Sequence, residues 1–295
     1  TGGGSAQAEF EILCGAPSIR EFGTEFNILG NGKTNCLPSY LSKFGYKTIA
    51  SQPLFGSFFN IEKAYKSIGF NESFLRPSFD MSDMNNGWLS DESYFNQHFQ
   101  ILKNELINKK PILNYLFTVG CHSPLGQSKS LEVLIEYPQS KILEQFLNCH
   151  AKSIYHLNEY INKILNIDPD SLIVILPDHF PPGITISSYK DAGYKCEKNQ
   201  QEFCDRRVRG IFIGNTIEIK NKNFGYYELP EIIINQVSNK ALCQTIKCST
   251  DTNYININGI ILDRENLNDQ SDQSLSLYHR ELYFSLLRES IVNIK

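Results

Sequence analysis

The chain has 295 residues, of which 41% are hydrophobic and 20% are charged, and its net charge at pH 7 is −4. This composition is typical of a globular protein with a large core and excludes a disordered chain. The negative charge argues against a nucleic-acid partner, and no apolar run approaches the ~18–20 residues that a membrane-spanning helix needs.

Helical and extended patterns alternate along the chain. Apolar residues at helical spacing predict helices, and short apolar runs bounded by turn residues predict strands. The alternation predicts a parallel or mixed sheet with helices on both faces, which is an α/β fold. A polar stretch at 266–276 is expected to be a loop before a last helix over 278–294. The other predicted helices cover 37–44, 58–68, 91–108, 140–165 and 229–237, and the predicted strands cover 46–50, 111–119, 172–176 and 209–213.

Near the start of the chain, glycines at positions 2–4 precede Ser5. Glycine lets the backbone approach a bulky anion because no Cβ intervenes. A hydroxyl at the start of a helix lies where free N–H groups and the helix dipole favour negative charge and help to ionise an alkoxide. The segment therefore indicates a nucleophile that acts on an anionic group. The alternative is a flexible linker or an expression remnant.

A second candidate site follows the apolar run 172–176. This run is continuous and ends at a turn, which predicts a buried parallel strand. Asp178 and His179 come just after it, and open α/β sheets bind ligands at the carboxyl ends of their strands. A carboxylate and an imidazole are ligands for Zn²⁺ or Mn²⁺. The alternative is a structural Asp-His turn before a proline-rich loop.

Several segments together resemble one family. Residues 2–11 (GGGSAQAEFE) resemble the Gly-Gly-Thr-Ala-x-x-Glu-Phe-Glu nucleophile segment of the alkaline phosphatase/sulfatase superfamily. The resemblance is to its bacterial phosphoglycerol transferases and lipoteichoic acid synthases, with phosphoethanolamine transferases as more distant relatives. Residues 173–181 resemble the family's Asp-His metal segment, and the match covers about residues 2–238 in the family's order. Further matching segments are 37–41 (LPSYL), 45–48 (GYKT), 65–70 (YKSIGF), 90–92 (SDE) and 118–124 (TVGCHSP).

The resemblance implies an α/β/α sandwich of the alkaline phosphatase type, with a central, mostly parallel sheet. It implies that Ser5 is the nucleophile and also a ligand of one divalent metal ion, Mn²⁺, Zn²⁺ or Mg²⁺. Asp178 and His179 are implied as further ligands of that ion. Ser5 stands where the family more often has threonine, and the change keeps the hydroxyl.

The resemblance also implies three residues that meet the substrate. His122 matches the family histidine that contacts substrate and protonates the leaving alkoxide. Trp88 and Asp91 lie in the stretch that matches the headgroup-binding segment. Lipoteichoic acid synthases often have an arginine close to this tryptophan, where this chain has Ser90. The headgroup, phosphoglycerol or phosphoethanolamine, therefore stays open.

The function that the resemblance implies is transfer of a phospholipid headgroup to a glycan or lipid of the cell envelope. The parent protein is expected to be membrane-anchored by segments absent from this chain and to work outside the cytoplasm. Two alternatives remain: a phosphodiesterase or phosphatase with water as acceptor, and a non-catalytic binding domain. Residues 1–240 are expected to form the catalytic domain, and 241–295 a hairpin and helix of the same domain.

The same resemblance places an acidic metal ligand at the end of a strand upstream of Thr1. No Asp or Glu precedes Ser5 in this chain. We therefore expect one central strand and one ligand to be missing, and the metal site to be incomplete, unless another segment supplies them.

The eight cysteines are many for a cytosolic enzyme. Cys196 and Cys204 flank one short loop, and Cys243 and Cys248 flank another. In an oxidising compartment we expect each of these pairs to form a disulfide, with unpaired buried thiols as the alternative. The other four, which are expected to be small core residues whose pairing cannot be read from the sequence, are Cys14, Cys36, Cys121 and Cys149.

Two tempting assignments are set aside. Glu9 and Glu11 flank the nucleophile, but their place on the following helix favours a structural or supporting role. The segment 14–20 (CGAPSIR) is similar to the C-x-P-x-R sequence that sulfatases convert to formylglycine. Its proline and arginine have the wrong spacing, which disfavours a formylglycine enzyme.

Overall fold

A computed structural model describes the chain over residues 4–16, 18, 26, 34, 36–123, 135–179, 208–215 and 224–237. It also gives the backbone of two strands at 254–257 and 260–263. Within these residues, no helix is both long enough and apolar enough to cross a membrane.

Six α-helices lie in the described residues, and their ends follow local sequence signals. Ser90 accepts a hydrogen bond from the Ser93 amide at the start of α4, and Gly15 ends α1 in the left-handed conformation with φ 67°. The helices are α1 (Ser5–Cys14), α2 (Leu37–Lys43), α3 (Ile61–Ile68), α4 (Asp91–Ile107), α5 (Lys141–Leu165) and α6 (Leu229–Val237).

The main sheet has three parallel strands in the order β2-β1-β5, with Ile49 of β1 facing Glu72 on one side and Asn114 on the other. Three antiparallel pairs, β3-β4, β6-β7 and β8-β9, complete the strands that are described. The parallel sheet and its helices confirm the predicted α/β fold. The strands are β1 (Lys47–Ser51), β2 (Glu72–Phe74), β3 (Met84–Asn85), β4 (Trp88–Leu89), β5 (Ile112–Leu116), β6 (Ile173–Ile175), β7 (Ile211–Ile213), β8 (Tyr254–Ile257) and β9 (Ile260–Asp263).

Sequence periodicity located the long elements well, but it misjudged β6. The expectation for 172–176 was a buried parallel strand, whereas β6 is half-buried and pairs antiparallel with β7. The partner strand lies 36 residues further along the chain at the closest register pair, Ile175 with Ile211, so local pattern does not reveal its direction. The predicted loop 266–276 and helix 278–294 lie outside the described residues. The division at residue 240 stays a prediction.

Helix α1 lies at the centre of the largest hydrophobic cluster. Every residue from Ala6 to Cys14 is buried, including Gln7, Glu9 and Glu11. Strands β6 and β7 pack on this cluster through half-buried apolar side chains. The helix that begins at Ser5 is therefore a core element. Its partners in the cluster include Phe26, Ala50, Ile61, Ala64, Tyr65 and Ile68.

Two disulfides lie in the described residues, and they involve the four cysteines that were expected to be plain core residues. Cys14, the last residue of α1, is bonded to Cys36, which precedes α2. Cys121 is bonded to Cys149 on α5. Cys14 and Cys36 are buried, as expected, whereas Cys121 and Cys149 are half-buried; the sequence had left the pairing of all four open. The predicted pairs Cys196 with Cys204 and Cys243 with Cys248 lie outside the described residues.

Candidate active site

Ser5 meets Asp178 across the fold. Ser5 is the first residue of α1, after Gly4 in an extended conformation, and it is half-buried. Its hydroxyl donates a hydrogen bond of 2.6 Å to Asp178 Oδ2, although the two residues are 173 positions apart. The two segments that the sequence singled out are therefore joined directly.

The turn after β6 holds Asp178 and His179 side by side. His179 Nε2 lies 3.3 Å from Asp178 Oδ2, and the His179 amide donates to Asp178 Oδ1 at 2.9 Å. Because both side-chain contacts share Asp178 Oδ2, Ser5 Oγ and His179 Nε2 are at most about 6 Å apart, so the three side chains form one cluster. Tyr226 lies three residues before α6, and its hydroxyl supports this turn by donating a hydrogen bond to the carbonyl of Pro177.

The donor set suits a borderline divalent cation. A hydroxyl, a carboxylate and an imidazole converge here, and this mixture of oxygen and nitrogen ligands fits Zn²⁺ or Mn²⁺. In the part of the chain that the structure describes, no group of three or more His, Cys, Asp or Glu side chains is placed to hold a metal ion.

Glu9 lies one helical turn after Ser5 and is fully enclosed. It accepts a 2.5 Å hydrogen bond from the Tyr65 hydroxyl, which in turn accepts one from Gln52. The pKa of Glu9 is raised from 4.5 to about 8, mainly by burial and also by the nearby charge of Asp178, against the opposing hydrogen bonds from Tyr65 and Tyr115. A protonated Glu9 adds no negative charge beneath Ser5 at neutral pH.

Tyr115 connects this cluster to the end of the parallel sheet. It is the fourth residue of β5, and its hydroxyl is hydrogen-bonded to Glu9. Burial raises its pKa well above 10, and the charges of Glu9 and Asp178 add to that shift. The Ser5 cluster thus lies beside the carboxyl-terminal half of β5, and His122 follows the same strand.

His122 and Trp88 pack against each other at this strand end. Their ring centroids are 4.8 Å apart, and the His122 ring is exposed. His122 Nδ1 lies 2.6 Å from the carbonyl oxygen of Ser123, so Nδ1 carries a hydrogen and Nε2 faces away from that bond. The Trp88 indole N–H is buried and has no acceptor among the described residues.

Asp91 is placed differently from the expectation. The resemblance implied contact with substrate, but Asp91 is only 7% exposed and both carboxylate oxygens accept bonds from the protein. Gly120 N donates to Oδ1 at 3.0 Å and Ser153 Oγ donates to Oδ2 at 2.5 Å. Burial raises the pKa of Asp91, and these two hydrogen bonds partly offset the rise. The structure therefore places Asp91 against the His122 loop, and its direct contact with substrate stays a prediction.

Three parts of the site were not identified from the sequence. Tyr226, Ser153 and the Cys121–Cys149 disulfide all reach the site from elements distant in the chain. The position of Glu9 beneath Ser5 could have been predicted, because residues four apart share a helix face and Ser5 begins that helix. No local pattern marks Tyr226 or Ser153, since their partners are fixed by tertiary packing.

The fold is shared with solved structures, one of which is a protein of the alkaline phosphatase superfamily. The chain matches the sequence profile of the sulfatase family over residues 1–202, and it belongs to that family.

Lipoteichoic acid synthases are among the relatives of this chain. The chain is 26% identical over 188 residues to that of Staphylococcus saprophyticus and 25% identical over 190 residues to that of Staphylococcus aureus. Each match covers 60% of this chain and 28% of the relative. The aligned region is thus a little over a quarter of each of these relatives.

Solved structures share the fold. The lipoteichoic acid synthase LtaP of Listeria monocytogenes superposes with a TM-score of 0.67 at 19% identity, over 98% of this chain and 79% of the other. The Streptococcus pyogenes phosphoglycerol transferase GacH, in complex with sn-glycerol-1-phosphate, gives a TM-score of 0.66 at 16% identity, over 98% and 74%. An alkaline phosphatase superfamily protein of Vibrio parahaemolyticus gives a TM-score of 0.62 at 16% identity, over 80% of this chain and 55% of the other.

Proposed function

We propose that this chain is the catalytic domain of a phosphotransferase that moves a phosphoglycerol headgroup from a phospholipid to a glycan or lipid of the cell envelope. The observation that carries the proposal is the 2.6 Å hydrogen bond from Ser5 Oγ to Asp178 Oδ2. It joins a hydroxyl at a helix start to a strand-end turn that also presents His179. The names of the relatives support the choice of headgroup.

Ser5 is the nucleophile in this proposal. Its oxygen attacks the phosphorus of the donor, the bond from phosphorus to the diacylglycerol oxygen breaks, and the phosphoglycerol group remains on Ser5. The hydroxyl of the acceptor then attacks the same phosphorus and releases Ser5. Backbone N–H groups in the first turn of α1 point towards the anionic oxygens during both steps.

Ser5, Asp178 and His179 are the residues that would hold a divalent cation. When bound, such an ion lowers the pKa of the serine hydroxyl and neutralises charge on the transferred group. Asp178 Oδ2 also orients the Ser5 hydroxyl, because it accepts a hydrogen bond from it.

His122 and Trp88 serve the substrate in this proposal. His122 acts as the imidazolium: Nε2 gives its proton to the departing diacylglycerol oxygen while Nδ1–H stays bonded to the Ser123 carbonyl, and the neutral ring then takes the proton of the acceptor hydroxyl. The Trp88 N–H is a buried donor beside it and would pair with an oxygen of the headgroup.

The two described disulfides support an extracytoplasmic location, because such bonds persist in oxidising compartments. The outer face of the cell membrane or the periplasm is where a phospholipid donor and an envelope acceptor meet.

The test is headgroup release by the purified protein from phosphatidylglycerol vesicles, with and without a glycan or lipid acceptor. Ser5→Ala should abolish release, because it removes the attacking oxygen, and Ser5→Thr should retain it as the matched control. Mass spectrometry of the acid-quenched enzyme should find the phosphoglycerol adduct on Ser5. Normal release by Ser5→Ala would overturn the covalent step. Equal release without acceptor would identify a phosphodiesterase, and release from phosphatidylethanolamine alone would change the headgroup.

A further inference from the structure

The loop that carries His122 is fixed from outside by two contacts. Gly120 N donates to Asp91 Oδ1 at 3.0 Å, and Asp91 is the first residue of α4. A Cβ on Gly120 would lie 2.6 Å from that same oxygen, so the close approach requires glycine. The loop backbone is therefore docked on the start of α4.

Helix α5 holds the same loop through two side chains. Cys149 forms the disulfide with Cys121, the residue directly before His122. Ser153, one turn later on the same face of α5, donates to Asp91 Oδ2 at 2.5 Å. The two contacts converge on neighbouring loop residues, Gly120 and Cys121.

We propose that Asp91, Ser153 and the Cys121–Cys149 disulfide form a loop clamp whose role is to position His122 for proton transfer. The inference rests on the proposed function and adds to it a set of positioning residues. None of them needs to touch substrate. They act through the backbone of residues 119–123.

His122 depends on this clamp because its own contacts with the described residues are few. The ring is exposed, it packs on Trp88, and its Nδ1 bonds to the carbonyl of the next residue, Ser123. The His122 amide also donates to Val119 O at 3.0 Å and closes a tight turn. Every one of these contacts except that to Trp88 moves with the loop, so the direction of Nε2 follows the backbone that the clamp fixes.

The test is a double-mutant cycle on kcat and KM in the headgroup-transfer assay. C121A/C149A should lower kcat about 10-fold to 100-fold with little change in KM, because a displacement of about 1 Å carries a cost of that size. In a His122→Ala background the same double substitution should cause no further loss, since the group being positioned is gone. The matched control is C14A/C36A, which removes a disulfide of similar span elsewhere and should act by the same factor in both backgrounds.

Asp91 supplies an independent test. Asp91→Asn keeps an oxygen for Gly120 N and should retain most of the activity, whereas Asp91→Ala should resemble C121A/C149A. Ser153→Ala removes one hydroxyl from a half-buried helix position and should lower kcat modestly, which keeps the test usable if the cysteine variant does not fold.

Two results would overturn the clamp. One is equal loss from C121A/C149A with and without His122, and the other is a raised KM in Asp91→Asn, which would mean that Asp91 binds substrate by charge. Unchanged kcat in His122→Ala would instead overturn the proton-donor role of His122 in the proposed function.

Discussion

Ser5 and Glu9 occupy successive turns on one face of α1 and have opposite surroundings. Ser5 is half-buried and bonded to Asp178, whereas Glu9 is enclosed by Tyr65 and Tyr115. A carboxyl this close to a candidate cation site would be expected to serve as a ligand. Its burial instead keeps it protonated at neutral pH, against the opposing effect of the two phenolic hydrogen bonds, and this makes it part of the support beneath Ser5.

Glu9 should make stability depend on pH. The folded protein holds this proton up to about pH 8, while an unfolded glutamic acid loses it near pH 4.5. The native state therefore binds more protons across that window, so stability falls as pH rises through it, by at most about 1.4 kcal/mol per pH unit. Glu9→Gln removes the titrating carboxyl. Its unfolding free energy should therefore rise relative to that of the wild type as the pH rises from 5 to 8. Urea unfolding at several pH values in EDTA measures the difference, and parallel profiles for the two proteins would contradict it.

His179 and His122 should separate metal binding from proton transfer. His179→Ala should weaken binding of Mn²⁺ or Zn²⁺ by more than about 10-fold, because it removes a candidate ligand. Mutation of residues that only support a metal ligand already lowers metal affinity about 10-fold to 100-fold. His122→Ala should leave metal affinity unchanged, since its ring packs on Trp88 and not on Asp178. Isothermal titration of the metal-stripped proteins measures both affinities. An equal loss in the two variants would place His122 at the cation.

Among the elements, α4 begins directly after the β3-β4 hairpin. Ser90 precedes the helix, accepts from the Ser93 amide at 3.1 Å, and is also hydrogen-bonded to Asp83 beside β3. One side chain thus joins the β3-β4 hairpin, which carries Trp88, to the helix that carries Asp91.

Ser90→Ala should cost about 1 kcal/mol of unfolding free energy, the usual effect of losing an N-cap. The matched control is Ser140→Ala at the start of α5, where the corresponding bond is longer, 3.4 Å, and the loss should be smaller. Chemical denaturation of the two variants gives the comparison. A larger loss in Ser140→Ala would show that the capping distances do not govern these helix starts.

Elements with strong local signals could be predicted, and those set by partners could not. Helix α5 was predicted almost to the residue because its apolar face repeats over 25 residues and Ser140 caps it. Asp178 and His179 could be singled out as candidate site residues because they follow an apolar run. The antiparallel direction of β6 was missed because it is fixed by β7, and the Glu9–Tyr65 contact was missed because periodicity shows that a face is buried but not what it meets.

At the scale of the whole molecule, two disulfides join segments that are well separated in sequence. They close spans of 22 and 28 residues. The sequence left the pairing of these four cysteines open, because spacing alone cannot choose among the many ways of pairing eight cysteines. The observed pairs join α1 to the start of α2, and the His122 loop to α5.

C14A/C36A and C121A/C149A should lose similar amounts of stability, about 3 kcal/mol each, because the constraint on the unfolded chain depends mainly on loop length. Thermal unfolding under non-reducing conditions should therefore give comparable shifts in Tm. A much larger shift for one pair would show that native packing around that bond, and not chain entropy, dominates its effect.

The burial of α1 on every side has a consequence for how the site is kept ready. Displacing Ser5 together with its helix would open the central core, so molecules with a displaced Ser5 helix are about as rare as globally unfolded ones. A substrate that arrives therefore meets a nucleophile that is already in place. No free energy of binding is needed to assemble this part of the site, and all of it remains for the charge that develops as the phosphoryl group moves.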